Sequence, residues 1–240
     1  MAPAPVRETR PGVSVNEVGE SAEGWFAKLA AADQTALLEL GSPRQYRPGS
    51  TLFHEGDLSD WVVVTTSGRV KISATTADGR DIVLAVRPAP ECLGELSALD
   101  ALPRSGTATA IDAVEARVVT GERFRAFLEA HPHATLLLLK SATGRLRDAD
   151  RRRVEFVGLD SVGRVATQLL ELVDRFGSVA ADGTTRIDVP LTQDELAGLT
   201  GASREAVGKA LSLFRRRGWI VTGRRSITVI SVEGLRSRAI

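Results

Sequence analysis

The chain has 240 residues, with 31 Lys or Arg, 30 Asp or Glu and one cysteine, Cys92. This length and composition are typical of a globular protein of one or two domains, and a lone cysteine excludes a disulfide, a thiolate zinc site and a four-cysteine iron–sulfur cluster within one subunit. No run of about 18 apolar residues occurs, and the initial MAPAPVRETRPGVSV carries Pro and charges where a signal peptide needs an apolar core, so we expect a cytoplasmic protein with no membrane contact.

The net charge of +1 hides an uneven distribution along the chain. Residues 151–240 contain 15 basic and 10 acidic side chains, a net charge of +5, whereas residues 1–150 contain 16 and 20, a net charge of −4. The carboxyl-terminal part is therefore the one suited to a polyanion such as DNA.

The first predicted elements are short helices followed by strands. After a loose tail over residues 1–23, GWFAKLAAADQTALLEL has apolar side chains at helical spacing, and Gly41 and Pro43 end that pattern. From there to about residue 120, β-branched runs such as WVVVTTSG, RVKISATT and RDIVLAV alternate with Gly and Asp turns. Dense short strands of this kind predict a small antiparallel roll, and we assign residues 24–130 to one domain.

The stretch GELSALDALPRS, residues 94–105, places two opposite charges, Glu95 and Arg104, in a small and apolar loop. A surface ion pair between them would contribute only about 0 to 1 kcal/mol. A buried anionic ligand gives a second explanation, because Arg supplies paired donors to a phosphate, Ser105 adds a hydroxyl and Glu95 can accept from a sugar hydroxyl. The pattern favours a ligand pocket over a structural ion pair.

A long helix is predicted over residues 131–157. Its inner positions follow a 3-4-3-4-3 spacing and form one stripe, namely Leu139, Ala142, Leu146, Ala149, Arg153 and Phe156. Such a stripe packs either on the roll of its own chain or against the same helix of a second chain. The highly charged opposite faces favour the second interpretation, a homodimer.

A second, helical domain is predicted over residues 158–240, with a hinge at its start. SVGRVATQLLELVDRFG is amphipathic, and a short polar loop follows it. Near the end, WIVTGRRSITVI has the pattern of a hairpin turned at Gly223, which would form a wing.

Between that loop and the wing, TQDELAGLTGASREAVGKALSLF predicts two short helices. Thr192 would cap the first in a capping box with Glu195, Gly201 would supply the turn, and Ser203 would cap the second. Two short helices joined by a glycine turn form a helix-turn-helix.

The stretch GELSALDALPRS and the motif GASREAVGKAL, in this order, resemble the bacterial cyclic-AMP receptor and Fnr (Crp-Fnr) family of transcription regulators from about residue 24 onward. The resemblance implies an α+β fold with a cyclic-nucleotide-binding antiparallel β-roll, a long dimerisation helix and a winged helix-turn-helix domain. It implies a homodimer that binds a double-stranded DNA palindrome, contacts RNA polymerase and takes a cyclic nucleotide, foremost cAMP, as its allosteric effector.

The resemblance also implies two sets of site residues. The ligand-binding residues would be Gly94, Glu95, Leu96, Ser97, Arg104, Ser105 and Asp150. The DNA-binding residues would be Thr192, Ser203, Arg204, Glu205 and Lys209. Compared with the best-known family member, Lys209 replaces an Arg, and Ala149 and Asp150 replace the Thr and Ser that contact adenine.

Two alternatives remain open on the sequence. In the first, the chain is the same DNA-binding regulator but takes a different effector or acts constitutively. In the second, the chain is a nucleotide-binding regulatory module that docks a protein partner through its helix-turn-helix. The basic residues around the second helix and the wing favour DNA. Without a Cys and His cluster or a Ser, His and Asp arrangement, we expect no metal site and no enzymatic activity.

Overall fold

The fold is described from a computed structural model for residues 24–76, 79 and 81–239. The tail predicted over residues 1–23 lies outside the described residues, as does the side chain of Phe156 at the end of the predicted stripe.

Eight strands form the amino-terminal roll. They are β1 (Ser42–Tyr46), β2 (Thr51–Phe53), β3 (Trp61–Ser67), β4 (Arg69–Thr75), β5 (Asp81–Pro88), β6 (Glu91–Leu93), β7 (Thr107–Ala110) and β8 (Val114–Thr120). One antiparallel sheet has the order β1–β8–β3–β6 and the other the order β2–β7–β4–β5. Val62, Val63 and Val64 of β3 are fully buried, so both faces of this strand are covered, as its continuous apolar run indicates.

Helices close the roll at several points. They are a 3-10 turn (Phe26–Lys28), α1 (Ala31–Glu39), α2 (Glu95–Asp100) and α3 (Gly121–Ala130). Trp25 packs near the start of the described chain. Its Nε1 donates to Ala134 O at 2.7 Å, and its ring makes an edge contact with the ring of Phe124 in α3.

Two local predictions for the roll were incomplete. Strand β1 was missed because its residues are almost all exposed and include Pro43, which a strand tolerates at the edge of a sheet. The stretch predicted as a loop after Gly94 contains helix α2, and residues in the left-handed region flank this helix on both sides, Gly94 at φ 81° and Ala101 at φ 56°.

The long helix α4 (Pro132–Gly158) packs on the roll along one face and leaves another face open. Ala134 and Leu138 are buried in the core of the roll. The stripe lies elsewhere, since Leu139 is 59% exposed and Leu146 is 62% exposed. These two stripe residues therefore do not pack on the roll of their own chain.

The carboxyl-terminal domain combines helices with a small sheet. Its elements are α5 (Ser161–Phe176), β9 (Gly177–Val179), β10 (Thr185–Ile187), α6 (Gln193–Thr200), α7 (Arg204–Arg216), β11 (Ile220–Gly223), β12 (Ser226–Val229) and α8 (Val232–Ala239). The sheet order is β11–β12–β10–β9. The predicted polar loop thus contains two strands, the wing turns after Gly223 rather than at it, and α8 was not predicted.

The capping predictions for the helix-turn-helix are confirmed. Glu195 N donates to Thr192 Oγ1 at 3.1 Å while Thr192 N donates to Glu195 Oε2 at 2.8 Å, which completes the capping box of α6. Gly201 makes the turn at φ 59°, and Ser203 Oγ accepts from Ala206 N at 3.1 Å at the start of α7. The predicted α+β architecture of roll, long helix and winged helix-turn-helix is confirmed.

No helix in the described part of the chain is both long enough and apolar enough to cross a membrane.

Candidate ligand pocket and DNA interface

Arg104 lies inside the roll, 2% exposed, with its guanidinium held by the protein itself. Its Nε donates to Ser59 Oγ at 2.7 Å, Nη1 donates to Gly94 O at 2.6 Å, and Nη2 donates to Trp61 O. The rings of Phe53 and Trp61 lie 4.5 and 4.8 Å from the guanidinium carbon. Burial lowers the pKa of Arg104, and nearby carboxylates oppose that shift.

Gly94 is required for this arrangement. A Cβ on Gly94 would lie 2.2 Å from Arg104 Nη1, and the backbone at φ 81° disfavours other residues. The fold therefore brings Gly94, the residue before α2, and the buried Arg104 to one place.

Glu95, the first residue of α2, pairs with the long helix rather than with Arg104. Its Oε1 lies 2.6 Å from Arg145 Nη2, and the two side chains are 6% and 35% exposed respectively. The two opposite charges of the loop thus do not form a surface pair with each other. Arg145 belongs to the charged faces of the long helix, and no local spacing links it to a carboxylate so distant in sequence.

The other residues of the predicted ligand set are distributed differently. Ser97 is buried in α2, whereas Leu96 and Ser105 are exposed. Asp150 lies on an exposed face of α4, where its Oδ1 is 3.9 Å from Arg153 Nη1. Within one chain, the structure brings Gly94, Glu95 and Arg104 together and leaves Asp150 apart from them.

A second buried carboxyl, Glu91, lies close to the pocket. Burial raises its pKa, while the nearby Arg87 guanidinium acts in the opposite direction. Glu91 Oε1 accepts from Cys92 N at 3.0 Å. Cys92 is itself buried, and this burial together with the charges of Glu95 and Glu91 raises the pKa of the thiol well above its usual value, so the reactive thiolate is disfavoured.

The described residues contain no group of three or more His, Cys, Asp or Glu side chains placed to hold a metal ion.

Helix α7 presents its first turns to solvent. Arg204, Glu205 and Lys209 are all exposed, and Glu205 Oε1 lies 2.7 Å from Lys209 Nζ. This contact lowers the pKa of Glu205 and raises that of Lys209. Arg204 Nη1 lies 3.6 Å from a carboxylate oxygen of Asp194 in α6.

These three residues share an open groove of about 710 Å³ between the two helices. The other lining residues are Gln193, Gly208, Ser212, Arg215 and Arg216. Sequence reasoning missed Gln193, Gly208 and Ser212 as groove residues. The helical spacing could have indicated Gly208 and Ser212, because they lie three and seven residues after Glu205 and therefore on the same face of α7.

The wing adds two further cations beside this groove. Arg224 and Arg225 are exposed between β11 and β12, and Arg225 has a positive φ of 54°. Together with Arg215 and Arg216, they give this face of the domain a strongly basic character.

Comparison with known proteins agrees with both parts of the chain. Residues 43–131 match the cyclic nucleotide-binding domain family, and residues 163–238 match the Crp-like helix-turn-helix domain family. The CRP-like cAMP-activated global transcriptional regulator of Mycobacterium tuberculosis is 36% identical over 216 residues, which cover 90% of this chain and 96% of that protein.

Two further similarities extend this result. The cyclic AMP receptor protein of Thermus thermophilus is 28% identical over 205 residues, or 85% of this chain and 91% of that protein. In fold, a c-di-GMP responsive global regulator of Xanthomonas campestris matches with a TM-score of 0.75 at 22% identity, covering 84% of this chain and 100% of that one. The extent of the mycobacterial match establishes the family: this chain is a member of the Crp-Fnr family of transcription regulators, which are not enzymes, with a cyclic nucleotide-binding domain and a helix-turn-helix domain.

Proposed function

We propose that the protein is a homodimeric regulator that binds a double-stranded DNA palindrome through α7 and responds to a cyclic nucleotide bound in the roll, foremost cAMP. The observation that carries the DNA part is the exposed, basic groove around Arg204, Glu205 and Lys209. Arg can donate to guanine O6 and N7 in a bidentate way, and Glu can accept from cytosine N4.

The remaining DNA contacts follow from the helix caps. Thr192 and Ser203 cap the amino-terminal ends of α6 and α7, where backbone N–H groups and the helix dipole favour a phosphate. The same basic face disfavours the alternative in which the helix-turn-helix docks a protein, because four exposed arginines would face that partner.

The dimer is supported by the exposed stripe of α4. Leu139 and Leu146 would each leave an apolar side chain in water without a partner helix. Two recognition helices related by twofold symmetry would then face half-sites about 34 Å apart. The contact with RNA polymerase, the cytoplasmic location and the domain boundaries stay predictions.

For the effector, the chemistry of the roll supports the sugar and phosphate half of a cyclic nucleotide. Arg104 and Ser105 would serve the phosphate, Glu95 the ribose hydroxyl, and Gly94 would allow close approach, with Leu96 and Ser97 around them. The base half differs from the family pattern, because Ala149 has no hydroxyl and Asp150 is a carboxylate, which is acceptor-only when ionised. This departure favours the second candidate, a regulator with another effector or with constitutive DNA binding.

The experiment is a titration of a selected palindromic duplex, followed by fluorescence anisotropy, without nucleotide and with cAMP or cGMP. We expect appreciable DNA binding without nucleotide and a modest gain with cAMP, because the lost hydroxyl contact removes about 0.5 to 1.5 kcal/mol and with it part of the coupling to α4. A gain of about a hundredfold, roughly 2.7 kcal/mol, would contradict this expectation. If Arg104→Ala leaves calorimetric nucleotide binding unchanged, the pocket assignment fails.

A further inference from the structure

The first helix of the helix-turn-helix, α6, packs against the roll of its own chain. Lys71 on β4 reaches Glu195 on α6, with 2.7 Å between Nζ and Oε1, and the two side chains are only 27% and 17% exposed. Although burial acts in the opposite direction, hydrogen bonds from Lys71 and from Thr192 lower the pKa of Glu195. The ion pair therefore joins the effector domain to the residue that also caps α6.

A glycine allows α6 to approach the backbone of β5. A Cβ on Gly198 would lie 2.7 Å from Val83 N and 3.2 Å from Ile82 Cα. Backbone atoms of a paired strand cannot rotate away as a flexible side chain would. Beside this contact, Val86 of β5 is part of the hydrophobic core of the carboxyl-terminal domain, so the two domains share apolar packing as well as charge.

These contacts form what we call the interdomain seat, made of Lys71, Glu195, Gly198 and strand β5. The seat leaves two of the residues that would read bases uncovered, since Arg204 and Lys209 remain exposed. It therefore does not mask the recognition helix. Its contacts join α6, the neighbour of the recognition helix, to strands β4 and β5 of the roll.

We propose that the interdomain seat sets the spacing of the two recognition helices in the dimer, and that Lys71 is thereby a positioning residue for DNA binding. The inference rests on the proposed function, that a dimer binds a palindrome. Half-sites at a fixed distance of about one DNA turn require a fixed orientation of each helix-turn-helix. An arrangement formed before binding avoids the entropy that a freely rotating domain would lose.

The test compares the wild type with Lys71→Met on one palindromic duplex and on duplexes with one base pair inserted or removed between the half-sites. We expect the wild type to lose about tenfold or more in affinity when the spacing changes. Lys71→Met should bind the original palindrome about five- to tenfold more weakly and discriminate less than about threefold among the spacings. Lys71→Arg should restore both values, because it returns a cation to Glu195.

Two further variants test whether the effect of Lys71→Met comes from the loss of positioning rather than from the loss of one positive charge or from impaired folding. Lys140→Met removes the same charge from an exposed site on α4 and should keep both the affinity and the spacing preference of the wild type. Gly198→Ala raises the helix propensity of α6 but places a Cβ against β5, so it should reproduce the loss of spacing preference. In Lys71→Met and in Gly198→Ala, the amides of β5 and α6 should exchange with deuterium faster than in the wild type.

The proposed positioning role of the seat is wrong if Lys71→Met and Gly198→Ala keep the affinity and spacing preference of the wild type. It is also wrong if these variants bind the palindrome more tightly. A wild type that does not prefer the palindrome over an unrelated duplex defeats the proposed function and the seat together. The two failures are thus distinguishable in one set of titrations.

Discussion

Replacing Arg145 by Met should destabilise the protein, because it leaves the Glu95 carboxylate buried without its partner. Removing one member of a buried ion pair costs about 3 to 5 kcal/mol. Glu95 is 6% exposed, but Arg145 is 35% exposed, so water already screens part of the pair. We therefore expect a loss of about 2 kcal/mol in the free energy of unfolding.

The assay is urea unfolding at one fixed protein concentration, because dimerisation would make the apparent stability depend on concentration. Glu95→Gln and the double variant complete a cycle, in which we expect a coupling of about 1 kcal/mol or more. Arg147→Met, on an exposed part of the same helix, is the control and should stay within about 0.5 kcal/mol of the wild type. A coupling near zero between positions 95 and 145 would refute the reasoning.

Three other predictions follow from the sites. Arg204→Ala should cost about 1 to 3 kcal/mol in specific DNA binding and relax one base position, and unchanged affinity for a selected palindrome would contradict the recognition-helix assignment. Leu146→Asp should give monomers in sedimentation that lose DNA binding, whereas a monomeric wild type would disprove the dimer seam. Glu91 has a pKa raised in the folded state above its ordinary value of 4.5, so the protonated form is the one that folding favours. Relative to Glu91→Gln, the wild type should lose stability as the pH rises from below 4.5 through the raised pKa of Glu91. Stability curves of the two proteins that stay parallel over this pH range in urea would contradict this.

The helix-turn-helix was predictable because its signals are local. Thr192, Glu195, Gly201 and Ser203 lie within one short segment, and each satisfies a backbone group of its own helix. The roll was predictable as a class for a similar reason, since runs such as the valines of β3 alternate with turn residues.

Contacts between distant segments could not be predicted in the same way. Arg145 meets Glu95, and Lys71 meets Glu195, only after the sheets and helices have been packed. The exposed strand β1 gave no apolar alternation to detect, because it pairs with a single neighbour at the edge of its sheet.

The ion pair at Glu95 bears directly on how strongly a nucleotide would influence DNA binding. A carboxylate has two oxygens and about four acceptor positions, so Glu95 can accept from a ribose hydroxyl and from Arg145 at the same time. A nucleotide of the proposed kind would then enter without breaking the link to α4. On the same helix, Arg151 lies 3.5 Å from Glu171 of α5, about 9 Å further along the helix axis than Arg145. A ligand shifts an equilibrium only by its differential affinity for the two states, and a ligand that leaves the Glu95–Arg145 contact unchanged gains no such difference from it. The intact Glu95–Arg145 pair and the altered base-contacting positions on α4 therefore lead to the same expectation, a regulator whose DNA affinity depends only modestly on cAMP.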